Sequence, residues 1–302
     1  MNKLLFWIEA FRLRTLPLAL SSAVLGSFLA YADGLFNPTV FALAISTTVL
    51  LQILSNLAND FGDSVHGTDN KNRLGPVRTV QSGKISKSEM KILIVVFVIL
   101  SFFSGAMLIF SGIKSANIGL VILFFIMGIA SIVAAVKYTI GKNPYGYSGF
   151  GDLFVFIFFG LIGVCGTYFL HTNQFHPVIL LPAASIGLLS AGVLNLNNMR
   201  DIDNDAASGK RTIVVRIGSE KAKIYHTSLI VLAVVLSVIY VVESWKSAYQ
   251  LIFLVSVFPL GLHLYEVFNN HVPQKLNNQL KVLALTTFFF SVMYSLGIFI
   301  AK

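Results

Sequence analysis

Acidic and amide side chains recur at helical spacing in the stretch NLANDFGDSVHGTD, residues 56–69. Four of them fall at positions i, i+3, i+4 and i+7, which form one face of a helix: Asn56, Asn59, Asp60 and Asp63. Carboxylates three residues apart repel each other, and the macrodipole disfavours negative charge near the C-terminus of a helix. A bound cation would offset both penalties, and ligands made only of carboxylate and amide oxygens suit Mg²⁺.

A second stretch of the same character, NLNNMRDIDNDAASGKRT, spans residues 195–212. Its Asn198, Asp201 and Asp205 lie at i, i+3 and i+7. The two stretches align at a fixed offset of 138 residues, with three matched pairs: Asn59 with Asn197, Asp60 with Asn198, and Asp63 with Asp201. Such an internal repeat is typical of membrane proteins that build a site between two related halves.

The two stretches together predict a site for two or more divalent ions. The expected metal ligands are Asp60, Asp63, Asp201 and Asp205, with Asp69 and Asn198 as further candidates. Asp203 points to the opposite face of such a helix, so we expect it to be structural and paired with Arg200. A solvated helix end with capping side chains is the alternative for either stretch taken alone.

Basic side chains lie beside both acidic stretches, and RTV at 78–80 corresponds to RTI at 211–213 in the repeat. Carboxylates, Mg²⁺ and Arg or Lys are the groups that hold a diphosphate, since the metals bridge its oxygens and the cations neutralise the remaining charge. The expected diphosphate contacts are Asn56, Asn59, Arg78, Lys142, Lys210 and Arg211. Basic residues at membrane ends also contact anionic lipid, and we prefer that interpretation for Lys84, Lys87, Lys91, Lys221 and Lys223.

A third stretch, KYTIGKNPYGYSGFGD at residues 137–152, places Tyr138 and Lys142 at i and i+4 at the end of a predicted helix. An aromatic face and an ammonium beside a diphosphate could assist the departure of the leaving group. The expected catalytic residues are therefore Tyr138, Lys142, Asp63 and Asp201. Ordinary structural roles fit the glycines and Tyr147, and Asp152 is expected to begin the next helix.

These residues are embedded in a chain that reads as a membrane protein throughout. Its 302 residues are 56% hydrophobic and 12% charged, and the mean hydropathy is +0.79. Nine apolar runs are long enough to cross a bilayer, at about 15–32, 37–57, 92–111, 116–137, 151–170, 177–197, 225–242, 248–267 and 281–300. The expected fold is an all-α polytopic membrane protein, one domain over residues 1–302 with two parallel pseudo-repeats.

Charged residues concentrate at one end of the predicted spans. With nine spans, the N-terminus and the loops after the even-numbered spans share a side, which holds 19 of the 22 Lys and Arg residues. The positive-inside rule places this side in the cytoplasm, so we expect a multi-pass protein of the cytoplasmic (inner) membrane. The net charge of +9 reflects this topology, and no nucleic-acid-binding module is present, so nucleic acid is not an expected partner.

The N-terminal segment raises one alternative. It carries basic residues before an apolar stretch that ends in Ala30-Tyr31-Ala32, a weak match to a cleavable signal peptide. Because eight further spans follow, we expect this segment to be retained as the first helix.

Three motifs taken together resemble the UbiA superfamily of intramembrane aromatic prenyltransferases: N-x-x-N-D-x-x-D after the second span, Y-x-x-x-K after the fourth and D-x-x-x-D after the sixth. The resemblance runs from RLRTLP at 12–17 to the ninth span. The stretches NLANDFGD, GPVRTVQSG, YTIGKNPYGYSGFGDLFVFIFFG and NNMRDIDNDAASGKRTIVVRIG are most similar to the superfamily members that prenylate 1,4-dihydroxy-2-naphthoate. Asp69 departs from the usual pattern, because it follows Asp63 by six residues rather than four, and is a weaker candidate for a metal ligand.

The resemblance implies a bundle of nine helices around a central cavity, with a polar cap that faces the cytoplasm. It implies Mg²⁺ as cofactor and polyprenyl diphosphate and 1,4-dihydroxy-2-naphthoate as substrates, joined with loss of CO₂ as in menaquinone biosynthesis. The prenyl tail would lie along the bundle and its head in the cap, with Lys142 at the diphosphate, and membrane lipid is a further expected partner. Aromatic walls would face the allylic cation.

Two other functions remain open. A UbiA-type enzyme could use 4-hydroxybenzoate or a chlorophyll or haem precursor, because motif spacing does not identify the acceptor. A transporter for an anion or a divalent cation would also suit parallel repeats and membrane acids, but it needs charged residues towards both ends of the spans. The concentration of charge at one end favours a site entered from the cytoplasm over a path through the membrane.

Overall fold

Helices are the regular elements of the computed structural model, which describes residues 3–70, 73–114 and 117–302. Within these ranges, nine helices are long and apolar enough to cross a membrane. They are α1 (Lys3–Ala32), α2 (Pro38–His66), α3 (Lys87–Gly112), α4 (Ile118–Lys137), α5 (Gly151–Thr172), α6 (Pro177–Arg200), α7 (Ser219–Glu243), α8 (Ala248–Phe268) and α9 (Pro273–Ala301). The predicted all-α fold with nine spans is confirmed.

The first acidic stretch lies on α2, which is a single unbroken helix. Its start is fixed by Asn37, whose side chain accepts hydrogen bonds from the N–H groups of Thr39 and Val40. Its end is fixed by Gly67, which adopts a left-handed conformation with φ 74° that residues with a Cβ rarely take. The prediction that this helix continues past the apolar run and presents its acids on one face is confirmed.

The first helix is interrupted at Arg12, which has the left-handed angles φ 49° and ψ 54°. Such a conformation costs a non-glycine residue about 1–3 kcal/mol, so its surroundings must hold it. The Thr15 hydroxyl donates to the Arg12 carbonyl at 3.0 Å. The Asn56 side chain of α2 donates to the Phe11 carbonyl at 3.0 Å and to the Thr15 hydroxyl at 2.9 Å. Asn56, a predicted diphosphate contact, therefore braces α1 against α2.

Two apolar clusters form the main core of the bundle. The larger contains residues of α1 and of every helix from α5 through α9. It includes the fully buried rings of Tyr168, Phe253, Phe290 and Tyr294. The smaller joins the start of α1 to α2 and α3 and continues under Val80 and Ile85 of the following loop. Burial of this apolar surface fixes the helix ends on which the acidic stretches lie.

A π-helical stretch, Phe156–Gly166, forms the middle of α5. Its glycines allow close contact with both neighbouring helices. A Cβ on Gly160 would lie 2.6 Å from the Ala183 carbonyl of α6, and one on Gly163 would lie 2.8 Å from the Ser22 Cβ of α1. Stretches of this kind are rare and are found mostly at functional sites. Here the stretch forms one wall of the cavity that is described below.

The prediction that Tyr138 and Lys142 share a helical face is wrong. The α4 helix ends at Lys137, and the chain then turns. Gly141 has φ 120°, which is strained for any residue with a Cβ, and Pro144 follows three residues later. Lys142 is therefore placed by a loop and not by helical spacing.

The predicted continuous helix through the second acidic stretch is also wrong. The α6 helix ends at Arg200, and Asp201 interrupts it with φ −100° and ψ 14°. A short helix, Ile202–Ala207, follows. Asp201 lies at this interruption and pairs with the adjacent Arg200, as described below.

Candidate active site

Three loops cover the charged end of the bundle, and we call their described residues the cap: 67–70 with 73–86, 138–150 and 201–218. They follow α2, α4 and α6 and contain both acidic stretches beyond the helix ends. The Asn204 side chain donates to the Thr68 carbonyl at 2.9 Å, and so joins the first loop to the third. The cap therefore holds the two acidic stretches together at one end of the bundle.

Tyr147 links all three cap loops. Its hydroxyl donates to Asp63 Oδ1 at 2.8 Å and lies 2.6 Å from the Thr68 hydroxyl. Its carbonyl accepts a hydrogen bond from the Arg211 N–H at 2.8 Å, and its ring centroid is 5.6 Å from the Lys210 ammonium. Burial and the Asp63 charge raise the pKa of Tyr147, which keeps it a neutral donor. Sequence reasoning missed this role, because nothing in the spacing of the loop shows what a tyrosine there will contact.

Arg78 connects two aspartates of the first acidic cluster. Its Nη2 donates to Asp63 Oδ2 at 3.0 Å, and its Nε approaches Asp69 Oδ1 to 3.2 Å. Arg73 Nε lies 3.1 Å from the same Asp69 oxygen. Neither approach to Asp69 has hydrogen-bond geometry, and both Asp69 oxygens are buried without a hydrogen-bond partner. Burial raises the pKa of Asp69 to about 6, although Arg78 partly opposes the shift.

Asp60 is engaged in a different way from its neighbours. Its Oδ2 accepts hydrogen bonds from the Thr79 N–H at 3.2 Å and from the Thr79 hydroxyl at 2.6 Å, and its Oδ1 accepts from the Val80 N–H at 3.4 Å. These bonds occupy both oxygens and anchor the first cap loop to α2. The geometry suits a residue that positions Arg78, the neighbour of Thr79, better than a metal ligand.

The second acidic cluster is organised by Arg200. Its Nε donates to Asp201 Oδ1 at 3.0 Å and its Nη2 contacts Asp201 Oδ2, so the pair is bidentate. Further bonds reach Asn197 Oδ1 at 2.9 Å and Asn277 Oδ1 at 3.0 Å. Burial would raise the pKa of Asp201, but the bonds and charge of Arg200 outweigh it and hold the pKa below its usual value. The predicted Arg200–Asp203 pair is wrong, whereas Asp203 is exposed and points away as predicted.

Lys210 stands beside Asp205, the other aspartate of this cluster. Its ammonium lies 3.3 Å from both Asp205 oxygens, yet Oδ2 has no hydrogen-bond partner. Burial raises the pKa of Asp205 to about 6, and Lys210 offsets this only in part. The Oδ1 atom of the buried Asn198 is also without a partner.

These unpartnered oxygens test whether the residues fit a divalent cation. In the described ranges, no group of three or more His, Cys, Asp or Glu side chains is close enough to hold a metal by itself. Asp69, Asn198 and Asp205 nevertheless present buried oxygens that have no hydrogen-bond partner. Mg²⁺ prefers oxygen ligands and is usually held by one or two carboxylates together with substrate phosphates. The residues therefore fit Mg²⁺ that arrives with a phosphorylated ligand.

A cavity of about 340 Å³ lies among α1 to α5 and reaches the cap. Its cap end carries polar side chains: Gln52, Ser55, Asn59 and Tyr138. Its far end is lined by Ile109, Phe124 and Leu170, which belong to a buried apolar cluster with Val40. Apolar side chains at that end give ions no polar route onward, which disfavours the transporter alternative.

A row of aromatic rings lines the cavity where it meets the cap. The Tyr138 ring centroid is 5.4 Å from that of Tyr145, which stacks on Phe154 at 4.0 Å. Phe158 follows at 6.0 Å from Phe154. Ring faces attract positive charge, so this wall suits a reaction in which a carbocation forms.

The structure brings most, but not all, of the predicted site residues together. The first cluster contains Asp60, Asp63, Asp69 and Arg78, and the second contains Asn198, Asp201, Asp205 and Lys210. Asn59 borders the cavity, and its Oδ1 accepts from the Thr139 hydroxyl at 3.3 Å. Lys142 and Arg211 are exposed and lie in neither cluster.

Residues 19–293 match the model of the UbiA prenyltransferase family. Two similar relatives are named 1,4-dihydroxy-2-naphthoate octaprenyltransferase. The one from Haemophilus influenzae is 42% identical over 99% of this chain and 97% of its own length. The one from Escherichia coli is 38% identical over 98% and 96%.

Solved structures give the same result for the fold. A UbiA homolog from Aeropyrum pernix superimposes with a TM-score of 0.69 at 18% identity, over 94% of this chain and 97% of that chain. A UbiA homolog from Archaeoglobus fulgidus, bound to DMAPP and Mg²⁺, gives 0.58 at 15% identity, over 94% and 98%. The nine apolar helices, the shared fold and the family match together identify this chain as a multi-pass membrane protein that belongs to the UbiA prenyltransferase family.

Proposed function

We propose that this protein transfers a polyprenyl group from polyprenyl diphosphate to 1,4-dihydroxy-2-naphthoate with loss of CO₂, which gives demethylmenaquinol, the reduced form of demethylmenaquinone. The observation that carries the proposal is the meeting of an apolar cavity with two buried clusters of carboxylates and cations. One substrate must then have a long apolar tail and a highly charged head. The names of the full-length relatives support the naphthoate acceptor and a prenyl donor.

The cap residues would bind the diphosphate head. Arg78 has a buried Nη1 without a hydrogen-bond partner, and the Lys210 ammonium lies at the facing cluster. Asp69 and Asp205 would complete the site through Mg²⁺, since each has a buried carboxylate oxygen without a hydrogen-bond partner. When bound, Mg²⁺ would balance the charge that grows on the diphosphate as its bond to the prenyl carbon breaks.

The cavity wall would control the prenyl cation. Carbon 1 of the donor lies between head and tail, so it falls at the boundary of cap and cavity, near Tyr138 and Tyr145. The ring faces there stabilise positive charge, and the apolar lining excludes water that would otherwise capture the cation. The naphthoate ring must reach the same boundary to attack.

The proposed location is the cytoplasmic membrane, with the cap on the cytoplasmic side. The charge distribution supports this orientation, because the loops at the cap end carry most of the Lys and Arg residues. Both substrates would then enter the site from the cytoplasm or from the membrane and not from outside the cell.

Product analysis tests the proposal. Purified protein with Mg²⁺, octaprenyl diphosphate and 1,4-dihydroxy-2-naphthoate should give a decarboxylated, prenylated product by mass spectrometry, whereas 4-hydroxybenzoate should not react. Inverted membrane vesicles, which expose the cytoplasmic face, should convert added naphthoate faster than sealed right-side-out vesicles. Product from 4-hydroxybenzoate alone would reassign the acceptor, and no product from any aromatic acid would reject prenyl transfer.

We also propose that Lys142 contacts the departing diphosphate from the second cap loop. Its side chain is exposed, and in the described part of the chain no carboxylate lies within ion-pair distance of it. An ammonium there would act mainly in the transition state, because charge on the bridging oxygen grows as the bond breaks. Lys142→Ala should therefore lower kcat by about 10²–10³-fold and change KM for the donor little.

Lys137 provides the matched control for this prediction, since it is another exposed lysine close by, at the end of α4. Lys137→Ala should keep the wild-type kcat, and Lys142→Arg should recover part of the lost rate because the charge survives. Steady-state kinetics on equal amounts of folded protein decide the matter. An unchanged kcat in Lys142→Ala would remove this lysine from the mechanism.

A further inference from the structure

Asp152 is a buried carboxylate that belongs to neither acidic cluster. It lies in the first turn of α5, is 5% exposed, and its Oδ2 has no hydrogen-bond partner. The Tyr225 hydroxyl of α7 interacts with the carboxylate. Burial of an incompletely paired carboxylate opposes folding. An acid that only offsets the dipole at a helix start could do so from an exposed position, so the burial of Asp152 needs another explanation.

The residue next to Asp152 lies against the reacting end of the cavity. A Cβ on Gly151 would lie 3.4 Å from the Tyr138 hydroxyl oxygen and 3.1 Å from Leu194 Cδ2. Tyr138 and Leu194 both line the cavity. The Tyr138 hydroxyl thus lies against the backbone beside Asp152. Among the carboxylates, Asp152 contributes most to raising the pKa of Tyr138.

The charges of Asp152 and of both acidic clusters act on the Tyr138 phenol. Burial, then Asp152, then Asp63 and Asp205 raise the pKa of Tyr138, so the phenol holds its proton. No hydrogen bond from this hydroxyl to another side chain is found among the described residues. The hydroxyl is therefore free to bond to a ligand in the cavity on one side and to exchange a proton on the other.

On the basis of the proposed prenyl transfer, we infer that Asp152 stores the hydroxyl proton of the aromatic acceptor, and that Tyr138 passes the proton between them. Tyr138 would touch the acceptor, whereas Asp152 acts through it and is a positioning and proton-storing residue. The Tyr225 hydroxyl would orient the carboxylate so that Oδ2 faces Tyr138.

The reaction balances in two steps. First, a bond forms between carbon 1 of the prenyl group and the ring carbon that bears the carboxylate, while the bond to the diphosphate breaks and its electron pair leaves with the diphosphate. The neighbouring ring hydroxyl becomes a carbonyl, and its proton moves to Tyr138 as the Tyr138 proton moves to Asp152. Second, CO₂ leaves and its bonding pair returns to the ring. The resulting ring oxygen anion takes the proton back by the same route, so no net proton is consumed.

The reaction needs a nearby group that can hold the proton, because water is excluded from the site. Without a base the first step produces a protonated carbonyl, and without an acid the second step leaves a bare oxygen anion. Both are unfavourable among apolar side chains such as Leu194 and Phe154, where water does not solvate them. Asp152 is a single buried carboxylate next to Gly151, and it serves both steps.

The test uses the purified full-length protein with Mg²⁺, octaprenyl diphosphate and two acceptors. One acceptor is 1,4-dihydroxy-2-naphthoate, and the other is a ring-fluorinated analogue whose hydroxyls are more acidic. Asp152→Asn should lower kcat with the natural acceptor by about 10²–10⁴-fold, with a much smaller change in KM for the donor. In Asp152→Asn, the rate with the fluorinated acceptor divided by the rate with the natural acceptor should be higher than in the wild type. A more acidic hydroxyl loses its proton more readily and depends less on Asp152. Asp152→Glu should recover part of the rate.

Asp33→Asn is the matched control. Asp33 is also a carboxylate that accepts a hydrogen bond from a tyrosine hydroxyl, that of Tyr168, but it lies at the opposite end of the bundle from the cap. Its variant should keep the wild-type kcat and the wild-type ratio of rates. Thermal unfolding of each variant shows that it is folded.

Two results would overturn the inference. One is a wild-type kcat in Asp152→Asn. The other is a loss of rate that is equal for both acceptors in folded protein and is not relieved in Asp152→Glu, which would indicate a structural role. Wild-type protein that turns over neither acceptor would instead reject the proposed function, so the two failures are distinguishable.

Discussion

Asp63→Ala and Asp205→Ala should each lower the rate of prenyl transfer by about 10²–10³-fold in protein that remains folded. Each change removes a buried carboxylate from a different acidic cluster. The diphosphate needs both clusters to balance its charge. Chelation of divalent ions with EDTA should abolish the activity of the wild type, and added Mg²⁺ should restore it. Activity is measured as prenylated product per minute at saturating donor.

Asp203→Asn is the control for these variants, because Asp203 lies in the same short helix as Asp205 but is exposed. It should retain nearly the wild-type rate. Asp201→Asn is a gentler probe than alanine at that position, since it keeps a partner for the buried Arg200. Near-normal rates in both Asp63→Ala and Asp205→Ala would show that the clusters do not hold the substrate head.

Arg78→Ala should damage both stability and donor binding. The change leaves Asp63 and Asp69 buried without their shared cation, and breaking a buried ion pair in this way costs about 3–5 kcal/mol. KM for the donor should rise as well, because the free Nη1 of Arg78 is a proposed diphosphate contact. Thermal unfolding in detergent and donor titrations measure the two effects. Arg78→Lys should recover stability only in part, since an ammonium lacks the planar guanidinium that hydrogen-bonds Asp63 and also lies within ion-pair distance of Asp69.

Arg211→Ala is the matched comparison, because Arg211 holds the place in the repeat that corresponds to Arg78. Its side chain is exposed, so the melting temperature should change little and the rise in KM should be smaller. Equal effects of the two substitutions would mean that the repeat positions are equivalent in function in spite of their different burial.

The comparison of these two arginines shows where sequence reasoning reached its limit. The repeat is real in sequence, but the loop from Asp63 to Arg78 is 15 residues long and the one from Asp201 to Arg211 only ten. The shorter connection does not bring Arg211 back to Asp201 in the way that the longer one brings Arg78 back to Asp63. Lys210 pairs with Asp205 instead, and Arg200 pairs with Asp201.

The parts of the fold that depend on local sequence were predictable. Hydropathy located the nine spans found in the described part of the chain, and helical spacing placed Asn59, Asp60 and Asp63 on one face of α2. The start of α1 was placed too late, because Lys3, Glu9 and Arg12 lower the hydropathy there although the segment is helical on either side of Arg12. Hydropathy depends on the local sequence, so charged residues near the end of a helix conceal where that helix begins.

The parts that depend on contacts between distant residues were not predictable. No spacing rule connects Tyr147 with Asp63 or Asp60 with Thr79, since these contacts join different loops and helices. A local signal for the end of α4 did exist: Gly141 and Pro144 both break a helix. That signal would have warned against placing Lys142 on the helical face of Tyr138.

One contact of the cap has a consequence for how the protein is made. Asn277 belongs to α9, which is synthesised after the other eight spans described here, and its side chain accepts from Arg200 and donates to the Leu74 carbonyl. Those two bonds connect the second acidic cluster to the first cap loop. A nascent chain with eight inserted helices therefore has both acidic stretches but no finished site. The α9 helix must be in place before these bonds can form, so a chain that lacks it should not expose the membrane to an uncontrolled prenyl cation.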